Sequence, residues 1–526
     1  MLADLALVGG NVLTMNSSQP SAEALAIKKD IIVKVGTNEE INPWIGKDTK
    51  IIHLNGRTVV PGLIDSHTHV ADFGKFLTWI DLKDVNSIEE MQRKIRKRAQ
   101  KIPKGRWIIG HGWDQTSFVE KRYPNFRDLN EASPDNPVIL YHQCGRVCVV
   151  NSKALELAGV TKETRSPSGG KIEKDAETGE PTGILRENAT DLVWKTIPEP
   201  SEEEIMEATS LACKKIVEAG VTSIHWIVAS ATEIQIIQKL RAENKLPLRV
   251  YIIAPANILD QLYASSSLLG SGDNTDSNLG VKVFVDGSLA ARTAALREPY
   301  IDDPATKGQL LYSQEELNAL VVKVHKAKFR LVMHAMGDQA IDMTLTAIEK
   351  ALMEAPRKNH RYRIEHASVL NKELIQRIKK LGMIVSVQPK VVISEFSVWS
   401  AVDRLGPKRA RWLYPLKTLI NEGIWVAGGS DCPMEPLSPL QGIQAAVERQ
   451  FFPEEQITVD EALRMYTVNA AYASFEEKIK GSIEDGKLAD LAVLSGDPRK
   501  TPPSKIGDIN VNMTIVGGKV VYQELT

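Results

Sequence analysis

Residues 330–336 read RLVMHAM, apolar on successive positions rather than on alternate ones. A strand with one face in water alternates, so a run that is apolar throughout belongs in a parallel sheet covered on both sides. Seven other segments have a comparable strand-like reading: Gly62–Val70 (GLIDSHTHV), Val221–Val228 (VTSIHWIV), Leu248–Pro255 (LRVYIIAP), Val281–Gly287 (VKVFVDG), Arg363–Ala367 (RIEHA), Ile384–Pro389 (IVSVQP) and Ile424–Asp431 (IWVAGGSD). Amphipathic helical stretches separate them, which is the pattern of repeated βα units. Eight such units, counting Arg330–Met336, predict an α/β fold with a closed (β/α)8 barrel of the TIM type over residues 61–475.

Outward from that barrel, the gap between Val70 and Val221 is too long for one connection and predicts an inserted substructure over 71–220. It holds strand-like segments (RWIIGHGWD, PVILYHQ), a helix over Ile88–Lys101 and a Gly/Ser-rich hairpin, SPSGGKIEKDAETGEPTG. The first sixty residues alternate short β-type runs with turns and read as a small antiparallel sheet. The tail returns to that style in LADLAVLSGD and MTIVGGKVVYQ. Neither end carries enough strands to stand alone, so residues 1–60 and 476–526 are expected to share one β-sandwich. A helix over Thr458–Ala473, opened by a Thr458/Glu461 capping box, would lead into it.

The 526 residues are 43% hydrophobic and 25% charged, the balance of an ordinary globular protein. With 65 Lys+Arg against 66 Asp+Glu the formal charge is -1, so no global field draws in nucleic acid or an anionic membrane. Four cysteines in so long a chain are no disulfide framework. The segment MLADLALVGGNVLTM lacks the basic flank and apolar stretch of a secretory signal, and the expected compartment is the cytoplasm.

Chemistry concentrates where the strands end. His67 and His69, two apart on one strand, aim two imidazoles at one point, which suits a Zn²⁺-like ion. His334, His366 and Asp431 stand at the carboxyl ends of three further strands, and only closure of a barrel would bring them together. Lys282 lies inside the apolar run VKVFVD, where an ammonium is costly. It either snorkels or pairs with Asp286, or it loses its proton by desolvation beside cations and adds CO₂, giving a carbamate able to bridge two metals. Candidate substrate contacts are Trp113 and Asp114 of the insert, Asp286, Arg292 and Arg297; the alternatives are an aromatic packing anchor, a turn aspartate, a loop-stabilising carboxylate and solvated loop arginines. His225 is placed behind the ligands, Cys432 in packing, and His53, His111, His142, His325 and His360 in structural or exposed positions.

These segments, together with PVILYHQCGRVCVVNSKAL, VMHAMGDQAID, YRIEHASVL, GGSDCP and ALRMYTVNAAYA, resemble the amidohydrolase superfamily in its YtcJ-like branch, which includes N-substituted formamide deformylases. The resemblance runs nearly end to end. It implies a hydrolase acting on a non-peptide C–N bond of a small molecule, with one or two Zn²⁺ or other divalent ions. The implied ligands are His67, His69, Lys282 (carboxylated when two metals bind), His334, His366 and Asp431, with Asp431 also the proton shuttle. Arg146 departs from the family, where relatives usually carry His, so the substrate does not transfer. N-formyl or N-acyl amines are the first expectation, deaminase or cyclic amidohydrolase chemistry the second, and a non-catalytic binding barrel the third. A homodimer is an assembly such a barrel could form.

Overall fold

The computed structural model describes residues 2–144, 146–264, 279–398 and 400–524. Eight parallel strands form one sheet: β1 Leu63–Thr68, β2 Val221–Ile227, β3 Arg249–Pro255, β4 Gly280–Phe284, β5 Arg330–Ala335, β6 Arg363–His366, β7 Ile384–Val387 and β8 Val426–Gly428. Each pairs with its neighbour in sequence order. Beyond the end of β8, Asp431 N–H donates to the His67 carbonyl at 2.8 Å and His69 N–H to the Cys432 carbonyl at 2.9 Å, closing the ring of strands against β1. The predicted TIM-type barrel is therefore the fold.

β1, β2, β6 and β7 are buried along their whole length, as a sheet covered on both sides requires, while β3 is only partly buried. The helices between them carry their own stop signals. Gln314–Lys326 opens on a Ser313/Glu316 capping box, and Lys372–Leu381 begins at Asn371 and ends at left-handed Gly382. Helix Asp338–Glu354 lays Ile341, Leu345 and Ile348 into the core at helical spacing.

Two departures concern the expected element ends. β8 is far shorter than Ile424–Asp431: Gly429 N–H still donates to the Val387 carbonyl of β7 at 3.0 Å, but Ser430 N–H turns to the Asp65 carboxylate and Asp431 N–H to the His67 carbonyl of β1. The helix expected over Thr458–Ala473 is two, Val459–Met465 and Val468–Ala473, broken where Thr467 leaves helical geometry.

One compact unit comprises Met1–Phe73 with Thr209–Thr526, and another Gly74–Ala208. Two sheets accompany the barrel in the first unit. One uses Ile31–Gly36, Ala24–Lys28, Leu5–Val8 and Lys50–His53; the other runs Lys519–Gln523, Val511–Val516, Leu491–Leu494, Thr58–Pro61, Asn11–Leu13 and Ser21–Ala22. Both chain ends thus build the second sheet, and Leu7, Ile27, Val59, Leu491 and Ile515 share one apolar cluster. The N-terminal strands are not the small antiparallel sheet expected: Leu5–Val8 and Asn11–Leu13 belong to different sheets, and each makes a parallel pairing. Gly9-Gly10 carries the chain across, and a Cβ on Gly10 would lie 2.3 Å from the Leu54 side chain.

The other unit is a six-stranded sheet, Gly170–Lys174, Pro181–Glu187, Val147–Val150, Val138–His142, Ile108–Trp113 and Ile80–Asp81, with helix Ile88–Ala99 packed through Met91 and Ile95. Its first two strands make the expected hairpin. Among the described residues no helix is long and apolar enough to cross a membrane.

Candidate functional site

Asp65, buried on β1, ties the site to the barrel closure. Its carboxylate accepts from the His67 and Ser430 backbone N–H groups, both at 3.0 Å, and from the Ser430 hydroxyl. Two residues on, His67 and His69 hold their rings 5.6 Å apart. Asp431, turned back by a positive φ of 57°, puts Oδ1 3.4 Å from His67 Nε2 and 3.3 Å from His69 Nε2. One donor atom from each lies within 4.8 Å of the others, the spread of ligands around a single ion.

His366 joins by a break in strand alternation. Arg363 and Glu365 are two apart on β6 and share a face, so a regular strand would turn His366 away. Its φ of 70° instead brings the ring to 4.9 Å from His67, and His334 follows 4.6 Å beyond. The imidazoles of His69, His67, His366 and His334 thus form a line across the barrel mouth. Lys282, 2% exposed, brings Nζ to 3.4 Å from His67 Nε2.

Three residues absent from the sequence reading stand behind this line. Glu365 Oε2 meets His67 Nδ1, and Arg363 holds Glu365 from the same strand while its Nη1 lies 2.8 Å from His225 Nδ1. Gln388 Oε1 accepts from His366 Nδ1 at 2.7 Å. Charged residues in the apolar run RIEH raise the same question as Lys282 in VKVF, so Arg363 and Glu365 carried a readable signal. Gln388 carried none.

Protonation states follow from burial. Burial, with help from Lys282, lowers His67 to about 4, and burial with the neighbouring His67 lowers His366 to about 3; burial takes His334 well below its ordinary value. Burial pushes Asp431 and Glu365 up, but the His67 and His69 rings outweigh it at Asp431, and Arg363 and His67 at Glu365, leaving both well below the usual carboxylate range. Desolvation brings Lys282 down to about 8. Neutral imidazoles, an ionised carboxylate and an amine that gives up its proton readily are the states a divalent cation needs, and the donor set fits one.

The other candidate contacts have partners of their own, and among them Asp286 reaches the line of imidazoles, with Oδ1 3.7 Å from His334 Nε2. Trp113 is wholly buried in the apolar cluster of its own unit, with Nε1–H donating to the Leu140 carbonyl at 2.9 Å, the surroundings of the packing-anchor alternative. Asp114 is the turn aspartate, accepting from Thr116 N–H at 2.9 Å. The Asp286 carboxylate is taken up by the N–H groups of Ala295, Met336 and Gly337 at 2.8–3.0 Å and organises the loop after β4. Arg292 pairs with Asp302 at 2.6 Å, and Arg297 with Asp342 and Glu373. Arg146 is exposed. His325 and His360 bond to the Ala355 and Leu381 carbonyls, as structural histidines do.

A sequence profile described as the amidohydrolase family matches residues 50–522. The chain belongs to that family. This amidohydrolase is 36% identical over 98% of its length to YtcJ of Bacillus subtilis (strain 168), 99% of which is covered and whose name describes it as an amidohydrolase. It is 29% identical over 99% of both chains to an N-substituted formamide deformylase of Arthrobacter pascens. A crystal structure of an uncharacterized metal-dependent hydrolase from Pyrococcus furiosus superposes with a TM-score of 0.79 at 32% identity, covering 94% of this amidohydrolase and 100% of that chain.

Proposed function

We propose that this amidohydrolase cleaves an amide-type C–N bond in a small N-formyl or N-acyl amine, using one or two divalent ions at the barrel mouth, with zinc the first choice. The observation that carries this reading is the convergence of His67, His69 and Asp431 within 4.8 Å. His67, His69 and Asp431 would hold one ion; His334 and His366 would hold a second, with Lys282 between the two groups as its carbamate. Bound there, such an ion acidifies a water and polarises a carbonyl.

The chain's own groups supply the proton traffic. Asp431, ionised and turned inward, accepts a proton from the attacking water and returns it to the leaving nitrogen, acting as base and then as acid. His67 keeps Nε2 unprotonated because its Nδ1–H is engaged by Glu365. The carbamate forms when the neutral Lys282 amine attacks CO₂, making the N–C bond and releasing one proton, so that a neutral amine becomes an anion.

The test uses the full chain, stripped by exhaustive chelation and reloaded with zinc, on formamides, N-acyl amino acids, hydantoins and aminated heterocycles. The expected result is amine release from a formamide or N-acyl substrate, lost on chelation and restored by zinc. Activity indifferent to chelation, or no bound metal after zinc-supplemented expression, would overturn the reading. Turnover confined to hydantoins or aminated heterocycles would replace the substrate class and keep the site.

A further inference from the structure

The hydrogen bonds behind the imidazoles are of two kinds. His67 donates Nδ1–H to Glu365, a carboxylate with no exposure, which Arg363 grips through Nε and through Nη2 at 2.9 Å. Arg363 is itself buried and fixed by Ser386 Oγ at 3.1 Å and by His225. His366 and His334 donate instead to neutral carbonyls, the Asp286 carboxylate standing 3.7 Å from His334 Nε2 and taken up by three backbone N–H groups. His366 Nδ1–H donates to the Gln388 side-chain carbonyl at 2.7 Å, and His334 Nε2–H to the Gly287 backbone carbonyl at 3.0 Å.

An imidazole that donates to an ionised carboxylate becomes a more basic ligand and is held in one tautomer, and losing such a partner typically weakens metal affinity about 10- to 100-fold. A neutral amide or peptide carbonyl orients the ring with less added electron density. Arg363 pairs with the buried Glu365 carboxylate through both Nε and Nη2 and fixes it behind His67.

We propose that the two ends of this centre are unequal by construction: the position built on His67, His69 and Asp431 takes its metal first and tightly, and the one built on His334 and His366 is weaker and exchangeable. Glu365 and Gln388 are the positioning residues that set the difference. This rests on the metal reading above. Gln388 also offers a handle for reversing the asymmetry, since its Nε2 is buried with no hydrogen-bond partner among the described residues. Replacing that NH₂ by an oxygen in Gln388→Glu gives up no hydrogen bond and puts a carboxylate behind His366.

The experiment is calorimetric titration of the stripped full-length chain with zinc alone, for the parent, Glu365→Gln and Gln388→Glu, with circular dichroism confirming the fold of each. The parent should show two classes of site. Glu365→Gln should weaken the tight class about 10- to 100-fold and move the loose class little, while Gln388→Glu should tighten the loose class alone. Two indistinguishable classes in the parent, or a Glu365→Gln chain in which both classes weaken equally, would overturn the asymmetry while leaving metal binding intact. No zinc bound by the parent would instead overturn the metal reading beneath it. Should Glu365→Gln fail to fold, the Gln388→Glu titration decides: an unchanged loose class overturns the proposal.

Discussion

Lys282 and Glu395 are both buried ionisable side chains without a conventional ion pair, and they answer to different tests. Lys282 sits 3.4 Å from a neutral imidazole, with its amine drawn down to about 8 by desolvation. In bicarbonate labelled with carbon-13, the zinc-loaded chain should show a carbamate resonance that Lys282→Ala lacks, and that variant should lose at least about 100-fold in kcat as a group proposed to hold the water-activating ions is removed; a resonance that persists in Lys282→Ala would place the carbamate elsewhere. Glu395 is 1% exposed, its Oε2 accepts no hydrogen bond among the described residues, and burial raises it from 4.5 to about 8. A carboxyl whose folded value is raised stabilises the native state fully below its unfolded value, and that contribution is lost as pH climbs through the folded one. Glu395→Gln should therefore gain on the parent between about pH 5 and pH 8, by about 1.4 kcal/mol for each pH unit crossed. Urea midpoints across that range would read it, and a parent-to-variant difference independent of pH would refute it. The residues proposed as ligands could be picked out from residue types at strand ends. Trp113 and Asp286 could not, because whether a polar side chain faces a pocket or is consumed by its own loop depends on backbone amides that the sequence does not reveal.

At the scale of the element, what misleads is where strands stop. RLVMHA declares itself by its run of successive apolar residues and RIEHA by its place in the series of βα units, and β5 and β6 begin where that reading puts them. β8 does not end as its sequence implies, because GGSD is written for contact with β1. A Cβ on Gly429 would stand 2.7 Å from His67 N and 3.0 Å from Asp65 Oδ1. Gly429→Ala should cost about 2 kcal/mol through forced backbone shifts and, by displacing His67 from Asp431, lower the zinc content of the purified chain. A variant with full metal content and parental stability would show that the closure tolerates the methyl group. His366 makes the same point from the other direction: its left-handed backbone lets Glu365 and His366 serve one site from adjacent positions, which strict alternation forbids.

Across the molecule, the barrel and the β-sheets built from the two chain ends are joined by buried polar contacts as well as by apolar packing. Asp490 on the C-terminal segment receives Arg249 of β3 at 2.6 and 3.1 Å and the Gly517 backbone N–H at 2.8 Å. Lys480 donates to Ser223 of β2 at 2.9 Å, and Thr514 to the Val217 carbonyl at 2.7 Å. The strand pattern at both termini made the shared sheet readable, but the joint was not, since it depends on single polar residues whose partners lie hundreds of positions away. A buried carboxylate that satisfies a guanidinium and a peptide amide together leaves both unpaired when removed, so Asp490→Ala should cost about 3 kcal/mol. Because Asp490 stands on the seam, the loss should lower one unfolding transition that carries barrel and sheets together. Calorimetry of the parent and Asp490→Ala would show it, and a variant in which one transition falls while another keeps the parental Tm would mean that the two parts fold independently across this joint.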